Sequence, residues 1–294
     1  MKRVFTILLA LLLGLSCVSV AGAYTSEPKG CLVLGEDLTS EEKAKVLEFL
    51  KVDKLEDYTV SYTTNQQEHK AFDNYLGAQV VGSRALSSIL LTPREKGAGI
   101  QVSSYNITYC TVEMYQNALI SAGVKDVSIA IAAPVPVSGT CALVSAMNAY
   151  ALLSGEELDA EAADVAAEEL VTTGNVGDLI GDKDSAAELI AAVKQKMIEE
   201  DLNEDQISEA IDQASDKLGV TLDAERKEQV IRLLMRLKNS DIDVDQLAKQ
   251  AGELYHKVSG IAEKLDIQPE KAAGFLEKLF QWLSNLFGGL KSRT

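Results

Sequence analysis

Asp126-Val127-Ser128-Ile129-Ala130-Ile131-Ala132-Ala133, followed by Pro134-Val135-Pro136 and then Ser138-Gly139-Thr140-Cys141, decides the fold of this 294-residue chain. Apolar branched residues alternate in the first eight positions, which is the pattern of a strand with one strongly buried face. The two prolines close that run. A helix then starts at Ser138 or Gly139 and continues to about Leu153. A strand feeding a long apolar helix through a short turn is the signature of a layered α/β arrangement.

Working outward, the segment before it alternates in the same way. Cys31-Leu32-Val33-Leu34 reads as a short buried strand. Thr39-x-x-Glu42 fits a capping box for a helix to about Leu50, and Asn65-x-x-Glu68 fits one for a second helix ending near Gly77. Tyr58 to Thr63 lies between them and is rich in strand formers. Two further β-rich runs, Arg84 to Thr92 and Ile100 to Tyr109, are joined by a Gly-rich seven-residue connection and predict a hairpin. Thr111 to Ala122 is helical and Gly123 stops it. The predicted order is β-α-β-α-β-β-α-β-α over residues 24–154, an α/β layer domain.

Composition changes after Ser154-Gly155. Residues 155–294 carry 16 Lys and Arg against 30 Asp and Glu, whereas 24–154 carry 10 against 14. Strand formers give way to Ala, Glu, Leu, Lys and Gln at helical spacing. Helices are predicted at 156–173, 184–200, 203–218, 221–238, 243–265 and 268–287, with Asn203, Asp223 and Asp243 as caps. The fold class is therefore α+β, with an N-terminal α/β head and an acidic all-helical C-terminal region. The last helix, 268–287, is amphipathic: Phe275, Leu279, Phe280, Trp282, Leu283, Leu286 and Phe287 share one broad face. Such a face packs within the fold, meets an envelope partner protein or lies on a membrane surface.

The first 23 residues have the form of an export leader. Lys2 and Arg3 precede an apolar run from Val4 to Leu15, and Ala21-Gly22-Ala23 supplies the small residues a signal peptidase reads. The run is too short to span a bilayer, which takes roughly 20 residues. Cleavage after Ala23 and an extracytoplasmic location, secreted or envelope-associated, are expected. Leu15-Ser16-Cys17 is a partial lipobox, with Gly14 where a large aliphatic residue is wanted, so lipidation of Cys17 is the lesser alternative. The net charge of −16 argues against nucleic acid as a partner, since that recognition needs a basic footprint.

Histidine is scarce: His69 and His256 are the only two. They fall in different halves, which excludes a site built on several imidazoles. No catalytic set, metal site or cofactor motif is expected. Asp241-x-Asp243-x-Asp245 begins like a calcium loop but places Gln246 where the turn glycine belongs. Cys141, in the first turn of its helix, is the one candidate nucleophile, because a helix N-terminus favours a thiolate. This gives an alternative reading, a cell-wall hydrolase or amidase. The same helix start, with Ser138, Gly139 and Thr140, could hold an anion, and Arg84 could add charge to it. Cys31, Cys110 and Cys141 permit one disulfide in any of three pairings.

Several stretches together resemble one bacterial family. They are Gly35-Glu36-Asp37-Leu38-Thr39, Glu68-His69-x-x-Phe72, Val81-Gly82-Ser83-Arg84-Ala85-Leu86-Ser87-Ser88 and Tyr115-x-x-Ala118-Leu119-x-x-Ala122-Gly123-Val124. Ala133-Pro134-Val135-Pro136-Val137-Ser138-Gly139-Thr140 and Glu169-Leu170-Val171-Thr172-Thr173 continue the likeness. The chain resembles the exported Firmicutes proteins catalogued as domain of unknown function 1002. That resemblance implies a signal peptide and assigns no activity, so no functional residue carries over. Cys141 stands where the family pattern has alanine or another small residue. The expected protein is an exported, non-enzymatic binding or scaffold protein with an α/β head and a helical arm. Attachment to a membrane surface through helix 268–287 is a further alternative.

Overall fold

The computed structural model describes residues 28–155, 158–199, 201–218 and 222–239. The expected leader at 1–23, with Cys17, and the predicted helices 243–265 and 268–287 lie outside the described residues. Strand β1 (Cys31–Gly35) leads through helix α1 (Ser40–Phe49) to β2 (Thr59–Thr63), which pairs with it in parallel from Cys31↔Thr59 to Gly35↔Thr63. Helices α2 (Asn65–Phe72) and α3 (Ala78–Val81) precede β3 (Ser88–Pro93). Then come β4 (Gln101–Ile107), α4 (Val112–Ser121), β5 (Val127–Val137) and α5 (Thr140–Ser154). The sheet order is β2-β1-β3-β5-β4.

The expected α+β class holds, with one correction inside it. β3 and β4 are not a hairpin: β5 inserts between them, antiparallel to β3 and parallel to β4. The physical reason lies in the connection. Neighbouring strands are about 4.8 Å apart, so a loop bridging two non-neighbours must span about twice that. Residues 94–100 do so, held open by Arg94 Nη1 donating to the carbonyls of Ala98 (2.8 Å) and Gly99 (3.1 Å) and by Gly99 N–H donating to Asp126 Oδ1 (2.8 Å). The most apolar run thereby takes a position with a neighbour on each side.

Alternation along the strands feeds two cores. Cys31, Val33, Ile89, Leu91, Ile129 and Ile131 meet α4 and α5 on one face. Leu32, Leu34, Leu90, Ala130 and Ala132 meet α1 on the other, with Val46, Leu50 and Phe49. The Thr39/Glu42 capping box forms: Glu42 N–H donates to Thr39 Oγ1 (3.2 Å) and Thr39 N–H to Glu42 Oε2 (2.8 Å). The second box is one residue earlier than its sequence reading. Thr64 and Gln67 cap α2 reciprocally, and Glu68 is released for another role.

β5 outruns its β3 partner. Their pairing ends at Ser88↔Ala132, while β5 continues to Val137 beside β4. The carbonyls of Ala133 and Val137 accept from Asn106 Nδ2 (3.0 Å) and Thr108 N–H (2.9 Å) on the β4 side.

The composition break at Ser154-Gly155 is not a break in the core. Helix α6 (Ala160–Ile180) lays Ala166, Ala167, Leu170 and Val171 into the same apolar cluster as α4 and the sheet. It runs through Gly174 and Gly177, beyond its predicted end at 173, to a left-handed Gly181. Gly174 tolerates no side chain: a Cβ there would lie 2.5 Å from Tyr109 Oη. Helices α7 (Lys183–Glu199), α8 (Glu204–Leu218) and α9 (Ala224–Lys238) build a second core with α6, from Val165 of α6 and Ile190, Val193, Ile207, Leu233 and Leu237. Asn203 caps α8 as expected, its Oδ1 accepting Gln206 N–H at 3.0 Å.

Two polar clusters fix these helices to the head. Arg236 of α9 donates to Glu161 (2.6 Å) and Asp164 (2.7 Å), pairs with Glu168, and meets Tyr75 Oη, which itself donates to Asp164. The second is fully buried. Lys194 Nζ of α7 lies 2.6 Å from Glu169 Oε1 of α6 and donates to Ser121 Oγ of α4 at 2.8 Å, and both charged side chains are 0 % exposed. Ser121 Oγ in turn donates to Glu169 Oε2. Burial pulls the Lys194 ammonium pKa down, and Glu169 opposes that.

A buried ion pair is costly to break and cheap to replace, because the desolvation already incurred is compensated only while both partners are present. Lys194→Met alone should therefore destabilise the chain by about 3–5 kcal/mol, and Lys194→Met combined with Glu169→Leu should recover most of that loss. Urea unfolding of the two variants and the parent checks this.

Candidate functional site

A groove of about 300 Å³ opens where α2, α3, the segment leading to β3 and the β5–α5 junction converge. Glu68 of α2 forms part of its lining. Val81, Gly82, Ser83 and Arg84 form one wall, Leu86 and Ser87 continue it, and Val137, Ser138, Gly139 and Cys141 close the other side.

The junction is built around Gly139. Its φ of 95° is left-handed, and a Cβ there would lie 2.3 Å from Tyr115 Oη and 2.5 Å from Ile107. Only glycine satisfies both demands. Tyr115 Oη donates to the Gly139 carbonyl at 2.6 Å. Gly139 is the N-cap of α5 and has no side chain to offer the free N–H groups of the first turn. Ser138, the expected cap, instead shares a hydroxyl contact with Thr140 Oγ1 at 3.1 Å.

Glu68 supplies the cap from a different helix. Its Oε1 accepts from Thr140 Oγ1 at 2.6 Å, its Oε2 from Asn65 Nδ2 at 3.3 Å, and its carboxylate also takes the backbone N–H of Cys141. The residue is 2 % exposed. Burial raises its pKa, opposed by the hydrogen bonds from Thr140, Asn65 and Cys141 and by the neighbouring His69 charge. The anion expected at this helix start is thus the protein's own carboxylate.

Arg84 does not reach α5 with its charge. Nη1 and Nη2 form a bidentate pair with Glu42 (3.1 and 2.7 Å), and Nη2 also donates to the Asp37 carbonyl at 2.7 Å. The pair and the Thr39 N–H hold the Glu42 carboxyl down at about 2. Asp37 Oδ2 accepts Ala85 N–H at 2.7 Å, so the Gly35–Glu42 stretch staples the segment that walls the groove. Of the four residues singled out in the sequence, Arg84, Ser138 and Gly139 line one groove, whereas Thr140 is buried behind it against Glu68.

His69 holds the other end of the same wall. Nδ1 lies 2.6 Å from Asp73 Oδ1 and Nε2 lies 2.9 Å from the Gly82 carbonyl. Both partners are acceptors, so only the doubly protonated ring satisfies both. The Asp73 hydrogen bond, then that of Gly82, raises its pKa above the ordinary 6.5.

The helix-terminus expectation for Cys141 fails on burial. Desolvation pushes its thiol up to about 12, and the Glu68 charge adds to the rise. Burial likewise lifts Cys31 to about 11 and Cys110 to about 12. All three are free thiols, none in a disulfide. Among the described residues no three His, Cys, Asp or Glu side chains converge as a metal set, and no helix is long and apolar enough to cross a membrane.

Sequence reasoning missed Glu68 as the centre of the site. Its partner is 72 positions away, beyond any local motif. One signal pointed to it: α5 opens with no acidic residue in its first turn, so a carboxylate from elsewhere was needed to complement its dipole.

With this geometry in place, the chain's kinship is informative. Residues 34–254 match the family described as protein of unknown function (DUF1002), and the chain belongs to that family. It is 35 % identical over 297 residues to the uncharacterized protein YpuA of Bacillus subtilis (strain 168), with 99 % of each chain covered. No solved structure matches it.

Two outcomes follow from the burial and the pairing. In the folded protein the Cys141 thiol should react with iodoacetamide far more slowly than a free thiol and reach the free-thiol rate only on unfolding, as mass spectrometry of the labelled peptide reports. His69 gains its proton more readily when folded, so its stabilising contribution is complete below about pH 6.5 and is lost as pH rises through its higher folded pKa. The stability advantage of the parent over His69→Gln should shrink across that interval, measured by urea unfolding at a series of pH values.

Proposed function

We propose that this protein is an exported, non-enzymatic binding protein of the cell envelope or its surroundings, and that the groove beside Glu68 is its ligand site. One observation carries the reading. The groove is lined by a desolvated carboxylate, three serine hydroxyls and apolar walls, while the one thiol in it is held protonated. Such a lining recognises and orients a small molecule. A thiol kept protonated makes a poor attacking group, since the thiolate is the nucleophile. The carboxylate is committed by three hydrogen bonds, two of them from α5, which suits a fixed recognition element better than a proton shuttle.

The leader ending at Ala23 supports export, and the groove wall is held rigid by Arg84, Asp37 and His69. Rigid walls lower the entropic cost of binding. Four described helices follow the head, and the amphipathic pattern that the sequence carries at 268–287 is what we assign to an envelope partner or a membrane.

Expression in a Gram-positive host tests the export part: the product recovered outside the cytoplasm should begin at Tyr24 by intact-mass analysis, whereas a cytoplasmic product retaining Met1 would end this reading. Incubation with cell-wall fragments tests the second part. Neither the parent nor Cys141→Ala should release products, and hydrolysis by the parent that Cys141→Ala abolishes would turn the protein into an amidase.

A further inference from the structure

The geometry points to a primary ammonium group on a short apolar chain as the ligand of the groove, the group a peptide amino terminus or a basic side chain presents. This inference rests on the groove being a binding site and names what it binds.

Charge decides the sign. The ionisable side chains around the groove are Glu68, Arg84 and Cys141, with His69, Asp37 and Glu42 just outside. Arg84 is neutralised by Glu42, His69 faces Asp73 and the Gly82 carbonyl, and Cys141 keeps its proton. The charge left facing the space is the Glu68 carboxylate. A second anion would meet it in a desolvated setting and be repelled. The first-turn N–H of Cys141 and the Thr140 hydroxyl, which would otherwise have attracted an anion, already have Glu68.

Valence decides the group. A carboxylate has about four acceptor positions, and Thr140, Asn65 and the Cys141 N–H occupy three of them. An ammonium carries three N–H donors and needs three acceptors. The remaining position on Glu68, with the hydroxyls of Ser87 and Ser138 on opposite walls, supplies that number.

Size and polarity decide what the ammonium is attached to. Val81, Leu86 and Val137 give the walls an apolar lining. The space of about 300 Å³ stands at the small end of ligand pockets. It has room for a chain of a few carbons.

The test uses the full chain, labelled for NMR, with butylammonium, butyrate and butanol as probes. Butylammonium is expected to shift the amides of Gly82, Ser138 and Gly139 and to lower the titration midpoint of the Glu68 carboxyl carbon, since a bound cation favours the ionised form. Butyrate and butanol should do neither. Equal or stronger shifts from butyrate or butanol would overturn the ammonium assignment and leave the groove a binding site. No shift from any of the three would remove both. Glu68→Gln should weaken the butylammonium response about tenfold or more, for loss of a charge-assisted contact. The midpoint shift in the parent gives the same information should that variant not fold. Alanylalanine amide and Nα-acetyl-lysine amide then separate an amino terminus from a side-chain source. An equal response to Nα-acetylalanine amide, which has no ammonium, counts against the assignment.

Discussion

The hydrogen bonds from the first turn of α5 to Glu68 are the constraint on which the head depends. Helix α5 covers β1, β2 and β3 and joins α2 and α4 in the main core. Its start is a glycine that must remain a glycine, so its own sequence cannot cap it. A carboxylate from α2 fills that role and locks two helices across the end of the sheet. Removing it would leave the Cys141 N–H and the Thr140 hydroxyl without that acceptor in a dry place, a cost of about 1–3 kcal/mol for each unsatisfied group. The same carboxylate also faces the groove, so the fold and the site share one atom group.

Much of the fold was legible because it is written locally. The continuous apolar run Cys31–Leu34 and the alternation in Val127–Ala133 mark strands, Thr39 and Glu42 mark a helix start, and Gly123 marks a helix end. What was illegible is non-local. Nothing in residues 84–109 announces that a later strand will come between two earlier ones; only the breadth of the 94–100 loop hints at it. Thr64 and Gln67 compete with Asn65 and Glu68 for the same capping pattern, and the winner is settled by where Glu68 is needed in three dimensions. Arg84, Ser138 and Gly139 were picked out from turn and helix-start chemistry, and they do share a groove. Thr140 was picked for the same reason yet serves Glu68 from behind it.

The stretches that the family resemblance rests on acquire physical meaning together. Gly35 to Thr39 and Val81 to Ser88 lie side by side: a Cβ on Gly35 would meet the Ala85 carbonyl at 2.2 Å, and Asp37 bonds the Ala85 amide. Glu68 and His69 brace opposite sides of that contact, one at α5 and one at Gly82. Glu169, in the stretch Glu169 to Thr173, is half of the dry ion pair that welds α6 and α7 to α4. The motifs are thus largely the joints of the molecule, and several of those joints converge on the groove.

The overhang of β5 beyond β3 has one further consequence. Pro134 and Pro136 in that stretch have no amide hydrogens to donate. Those two positions cannot donate to an added strand, which works against edge-to-edge pairing there.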